Sequence, residues 1–155
     1  MMLKKNLDNH EAKIILIEDS DVDAKFLCAQ IHKTNSDLDL IRLSDGEMAL
    51  EYFDTQGNEE ACHNLVILDL SLPKVTGLEV LSFLKEKNHH ILKHLIVLTG
   101  SENPNDRDES LASGIYSYNT KPWDIDGYVD FVRGPLSSAL LSLSNCCLPS
   151  KKNKE

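Results

Sequence analysis

Four apolar runs in this sequence each end in a side chain able to do chemistry. Glu18-Asp19 follow Lys13–Ile17 (KIILI). Asp69 follows Leu65–Leu68 (LVIL). Thr99 follows His94–Leu98 (HLIVL), and Lys121 stands just past Ile115–Asn119. A charge at the end of a buried run is costly unless it is paired, bound to metal or opened to solvent. Three carboxylates brought to one place would repel one another, raise at least one pKa or hold a cation. An oxygen-only donor set suits Mg²⁺, which keeps several waters and uses one or two carboxylates plus a phosphate oxygen. A lysine beside such a site is a counter-charge for an added phosphoryl group, and a threonine hydroxyl can donate to one of its oxygens. The collection describes phosphoryl transfer onto a carboxylate, with Asp69 as nucleophile. Taken singly the residues say less. Asp19 reads equally well as a helix cap, Thr99 as an ordinary strand residue, and Lys121 as a solvated lysine. The chemistry needs them to converge.

The elements between them predict that convergence. Leu65–Leu68 reads as a central strand buried on both faces. Lys13–Ile17 is a second such strand. Ser20 is an N-cap with acidic Asp23 three residues on, opening a helix to about Lys33. Leu38–Leu43 is a strand, Ser44-Asp45-Gly46 a turn and Glu47–Thr55 a helix. A polar connection spans residues 56–64. Pro73 and Gly77 mark the loop after Asp69, and Leu78–Lys87 is a helix. Strand His94–Leu98 leads into a polar stretch from Ser101 to Asp108. A short helix then ends at Gly114 as C-cap. Ile115–Asn119 is the fifth strand, and Asp124–Arg133 the last helix, which Gly134-Pro135 should kink or stop. Five strand–helix units predict an α/β fold, a doubly wound parallel sheet with helices on both faces. In such sheets ligands sit at the carboxyl ends of the strands.

The whole chain sets further bounds. Its 155 residues suffice for one domain, with 41% hydrophobic and 26% charged residues. A net charge of −9 argues against a nucleic-acid surface. No run reaches the ~18 apolar residues of a membrane span, and the N-terminus lacks a secretory h-region. Cys28, Cys62, Cys146 and Cys147 have no CxxC spacing and fit a reducing cytoplasm. Cys28 reads as a small core residue, and Cys146-Cys147 as small hydrophobes that do not bridge each other. His89, His90 and His94 read as solvated histidines rather than a metal site, because they straddle a helix end and a strand start. The Leu136–Leu143 stripe predicts a further helical segment, packed on the domain or on a second copy in a homodimer. Residues 1–12 read as a flexible start, 13–133 as the folded unit, and 134–155 as a partly helical extension ending in a charged tail.

The residues just described resemble the receiver domain of two-component response regulators over about residues 13–133. That family carries an acidic pair after strand one, here Glu18-Asp19. It has an accepting aspartate after strand three, here Asp69 in LVILDLSLPKVTGLEVL. Thr99 in LIVLTGSE and Lys121-Pro122 in YSYNTKPWD fill its remaining positions. The resemblance implies a flavodoxin-like (βα)5 fold with strand order 2-1-3-4-5. It implies Mg²⁺ held by Asp19, Asp69 and the backbone carbonyl of Ser71, with Glu18 acting through water. It implies a phosphoryl group taken from a sensor histidine kinase or phosphotransfer protein. The protein would then be a stoichiometric phosphoacceptor that catalyses its own phosphorylation and dephosphorylation, not an enzyme with turnover. Thr99 and Tyr118 would form the switch, signalling to an unknown downstream protein, with no role for nucleic acid or membrane. The Lys121-Pro122 bond is often cis in the family.

Departures from the pattern are informative. Glu18 replaces the commoner aspartate, and Ser71 and Ser101 occupy positions that tune phosphate lifetime. Too few residues follow Arg133 for a DNA-binding or enzymatic output domain, so the expectation is a single-domain regulator. KPWDIDGYVDFV is similar to the small regulators that serve bacterial phytochromes, although their aromatic tail pair is absent. Two other readings stand beside this one. A degenerate receiver could act purely as a binding module, against which the intact Asp69, Lys121 and acidic pair argue. A nucleotide- or flavin-binding domain would need a Gly-rich loop after strand one. Glu-Asp-Ser-Asp stands there instead.

Overall fold

The computed structural model describes residues 12–56, 63–87 and 89–146. The expected start at 1–12, the polar connection, Cys62, Cys147 and the charged tail lie largely or wholly outside them. Five parallel strands form one sheet in the order β2-β1-β3-β4-β5. They are β1 Lys13–Ile17, β2 Asp39–Leu43, β3 Asn64–Leu68, β4 Leu95–Thr99 and β5 Ser117–Thr120. The order and the parallel sense are those anticipated. β3 is buried at every position, as its uninterrupted apolar run requires.

The two-residue period of the strands divides the core in two. Ile14, Leu16, Leu65, Ile67, Ile96 and Leu98 face one layer of helices. Ile15, Ile17, Val66, Leu68, Leu95 and Val97 face the other. Helix α1 (Asp21–Thr34) and the C-terminal helices cover the first face, whereas α2 (Gly46–Thr55) and α3 (Gly77–Glu86) cover the second. Helix α4 (Pro104–Ala112) lies beside α3 and β5. It begins earlier than its sequence suggested, because Asn103 caps it and Pro104 takes the first-turn position that proline favours. Gly114 supplies the left-handed turn after it, at φ 84°. β5 starts two residues later than expected. As an edge strand with half-buried positions it carries a weaker apolar signal.

Two expectations are corrected. His89 and His94 are buried rather than solvated, while His90 is exposed. A 3-10 turn at His90–His94 tucks Ile91, Leu92 and His94 inward. His89 caps it, its Nδ1 accepting from the Ile91 N–H at 3.3 Å, and its ring meets Phe53 edge-on at 5.9 Å. Burial holds both imidazoles below the usual histidine pKa. The Lys121-Pro122 bond is trans, as is every peptide bond among the described residues; trans is the intrinsically favoured isomer even before proline.

Gly134-Pro135 does not end the last helix. α5 (Ile125–Phe131) runs through a π-helical turn at Val132–Leu136 into α6 (Ser137–Cys146). The widened turn accommodates a proline that has no N–H to give. Ser137 Oγ donates to the Val132 carbonyl at 2.7 Å. Leu136, Ala139, Leu140 and Leu143 are all buried against the first core face, so the stripe packs on its own domain. Cys28 packs half-buried against the same face. No helix among the described residues is long and apolar enough to cross a membrane.

Candidate functional site

The parallel ladder carries the chain past each strand end and aligns the polar residues there. The Asp69 N–H donates to the Ile17 carbonyl (3.0 Å), Glu18 N–H to Leu43 (3.1 Å), and Lys121 N–H to Thr99 (2.8 Å). Backbone pairing therefore sets Glu18, Asp69, Thr99 and Lys121 side by side on one edge. They come from positions up to 103 residues apart.

Asp69 is 3% exposed and Thr99 fully buried. Asp69 Oδ1 accepts from Thr99 Oγ1 at 2.9 Å and from the Ser71 N–H at 3.1 Å. Its Oδ2 faces Lys121 Nζ at 2.8 Å. The same ammonium donates to Glu18 Oε1 at 2.9 Å and to Asp23 Oδ2 at 2.8 Å. Burial alone would weaken the charge on Lys121, but the carboxylates of Asp23, Asp69 and Glu18 outweigh it and hold its pKa well above the usual lysine value. Burial acts oppositely on Glu18, pushing its carboxyl up to about 7 against the pull of Lys121, with Asp69 adding repulsion.

Asp19 is exposed beside this buried set. One oxygen each from Glu18, Asp19 and Asp69 lie within 4.8 Å of one another. The donors are all oxygens and one side opens to water, so the residues fit a divalent cation of the Mg²⁺ type. Ser71 reaches the group through its N–H and is itself exposed. Tyr118 lies half-buried at the margin, with the Arg107 guanidinium 5.6 Å from its ring centroid. Burial and the Asp106 carboxylate push its phenol pKa up. Ser101 Oγ bonds Asp106 Oδ2 and receives the Asn103 N–H.

Three contributors escaped sequence reading. Arg42, on β2, donates Nε to the Glu18 carbonyl (3.1 Å) and a terminal nitrogen to the Asp19 carbonyl (3.2 Å). Its other nitrogen meets Asp21 Oδ1 at 2.7 Å. It thus clamps the main chain of the acidic pair. Asp23 was legible only as a first-turn acid. Ser20 Oγ does cap its N–H at 3.3 Å, but the Ser20 N–H goes to Glu18 Oε1, leaving the Asp23 carboxylate for Lys121. Tyr128, buried on α5, donates to Asp23 Oδ1 at 3.4 Å; burial and that carboxylate raise its phenol pKa to about 12.

The loop after Asp69 is held close by a glycine. Gly77 N–H donates to the Leu70 carbonyl at 3.0 Å, and a Cβ at this position would stand 2.5 Å from both the Asp69 carbonyl oxygen and the Leu70 Cα. Gly77→Ala is expected to lower stability by about 1–3 kcal/mol and to slow chemistry at Asp69 by shifting its main chain. Thermal melts and phosphodonor labelling check this; wild-type values for both would mean the loop yields freely.

Known proteins share this arrangement. The family model for the response regulator receiver domain matches residues 14–133. The response regulator Rcp1 of Synechocystis is 33% identical over 123 residues, covering 78% of this chain and 84% of that protein. Among solved structures, the phosphorylated cyanobacterial phytochrome response regulator RcpA superposes with a TM-score of 0.73 at 26% identity, over 85% of this chain and 96% of that one. The Mn²⁺-bound form of Rcp1 gives 0.67 at 31% identity, over 82% and 96%. A sheet that delivers its polar strand ends to one edge, matched over nearly its whole length, places this chain in the response regulator receiver domain family.

Proposed function

We propose that this receiver takes a phosphoryl group on Asp69 from a sensor histidine kinase or a phosphotransfer protein, and signals by a change of shape. The observation that carries this reading is the setting of the Asp69 carboxylate. It is buried between a hydroxyl, an amide N–H and an ammonium, with two further carboxylates alongside. Glu18, Asp19, Asp69 and the Ser71 carbonyl would hold Mg²⁺, which supplies charge neutralisation for the transferring phosphoryl oxygens.

One Asp69 oxygen attacks the donor phosphorus, and the bond from phosphorus to the donor breaks with its electron pair leaving on the donor. Lys121 swings one N–H from the Asp69 carboxylate to a phosphoryl oxygen and so offsets the added charge. Thr99 Oγ1, already bonded to Asp69 Oδ1, is within reach of a second phosphoryl oxygen. As Thr99 moves toward the phosphate it vacates space into which the half-buried Tyr118 ring turns, biasing a two-state surface. Water attack on the acyl phosphate in the same cage returns Asp69, so the protein governs its own dephosphorylation. Residues 13–133 form the receiver, and the 134–146 segment braces it from the first core face. A phytochrome-type sensor is the kinase class we favour, given the named RcpA and Rcp1 likenesses. The whole exchange belongs in the cytoplasm, with an unidentified downstream protein as target.

Acetyl phosphate with Mg²⁺ tests the reading. Intact-mass measurement should show one added phosphoryl group per chain, lost on hydroxylamine treatment as an acyl phosphate is, and absent when Mg²⁺ is chelated. No adduct under these conditions would leave the binding-module reading in its place.

A further inference from the structure

Lys121 has three N–H groups and the structure gives each a carboxylate: Glu18, Asp69 and Asp23. Glu18 and Asp69 belong to the set that fits a cation. Asp23 does not; it stands on α1, on the other side of the ammonium, with its side chain about one-third exposed. It is held there by its own helix cap, by Tyr128 Oη at 3.4 Å and by its place in the first turn.

Resting on the phosphoacceptor reading of Asp69, we propose that Asp23 is a positioning residue. It anchors Lys121 from outside the acidic set, so that the ammonium can leave the Asp69 and Glu18 oxygens when a cation and a phosphoryl group claim them. Without Asp23 the ammonium has only those two carboxylates to pair with. It would then compete with the cation for them and start from the wrong place for the phosphoryl oxygens. Tyr128 holds the anchor by orienting the Asp23 carboxylate from α5.

The alternative is that Asp23 merely complements the positive end of α1, a role worth a few tenths of a kcal/mol to about one and indifferent to Lys121. The two accounts separate in Asp23→Asn, which keeps the shape and removes the charge. Mg²⁺ affinity is read by calorimetry without any phosphodonor, and the labelling rate by acetyl phosphate at saturating donor. We expect Asp23→Asn to weaken Mg²⁺ and to slow labelling by about tenfold each, the scale of one charge-assisted hydrogen bond. Asp23→Glu should restore most of both. In a Lys121→Met background the same substitution should change Mg²⁺ affinity by no more than about twofold, the residue of long-range charge in a screened setting. Tyr128→Phe, which keeps the packing and deletes one oxygen, should give the same pattern at about twofold.

Unchanged affinity and rate in Asp23→Asn, or an equal effect with and without Lys121, would overturn the anchor. Should Asp23→Asn fail to fold, Tyr128→Phe decides, and wild-type behaviour there counts against the proposal. Failure of the wild-type protein to label at all would instead sink the phosphoacceptor reading beneath it.

Discussion

Asp69→Asn should abolish labelling by acetyl phosphate and Mg²⁺, from one phosphoryl group per chain to none detectable. The substitution removes the attacking lone pair, since an amide nitrogen delocalises its own into the carbonyl. It also removes the charge that pairs with Lys121 Nζ at 2.8 Å. An asparagine oxygen turned toward Thr99 and the Ser71 N–H keeps both of those bonds, but its NH₂ then faces the ammonium, donor against donor. The mismatch costs about 1–3 kcal/mol. Easing the repulsion with Glu18 offsets part of it, so the variant still folds. Circular dichroism melts verify that, and mass spectrometry reads the labelling. Undiminished labelling would move the acceptor elsewhere.

Lys121→Met carries the second large effect, and it has two signs. Labelling should fall by about 10²–10³-fold, the scale on which a positioned donor to a developing oxyanion is missed. Mg²⁺ should bind more tightly, because a competing cation has left Glu18 and Asp69. The pH dependence follows from Glu18. Its folded pKa, about 7 in the wild type, is raised above its ordinary 4.5. A group so raised stabilises the fold fully below its unfolded value, and that stability is lost as pH rises through about 7. Removing Lys121 takes away the pull that lowers it, so the loss shifts to still higher pH. Cation binding needs Glu18 ionised and therefore strengthens as pH rises. Calorimetric titrations on either side of neutrality should show Mg²⁺ affinity increasing toward alkaline pH in both proteins, with proton release on binding in mildly acid buffer. Affinity that is flat with pH would mean that Glu18 takes no part.

Much of the sheet was legible because β1, β3 and β4 are short unbroken apolar runs, and each ends abruptly in a polar group. That abruptness also made Asp69 stand out. The rest was hidden for physical reasons. Asp23 sits where a capping acid is expected, so its spacing had already been given a sufficient use; only the diversion of the Ser20 N–H to Glu18 frees its carboxylate. Arg42 lies mid-strand in DLIRL, where a charged residue reads as the solvent face of an edge. Its long side chain instead folds back over the acidic pair. His89 and His94 are polar residues that a 3-10 turn too short to leave a periodic signal carries inward. Roles assigned to Ser71 and Tyr118 came from likeness to a family, not from any periodicity of their own.

The widened turn at Val132–Leu136 has a consequence for what this chain tolerates. Each residue of an α-helix advances the side chains by about 100°. The π turn inserts extra backbone between Phe131 and Ser137, and it sets the phase at which Leu140 and Leu143 meet β1 and β3. Substitutions there alter packing locally. A deletion of one residue would restore a regular spiral, yet rotate everything downstream and carry both leucines toward water. Chain length across that turn is therefore fixed more tightly than residue type.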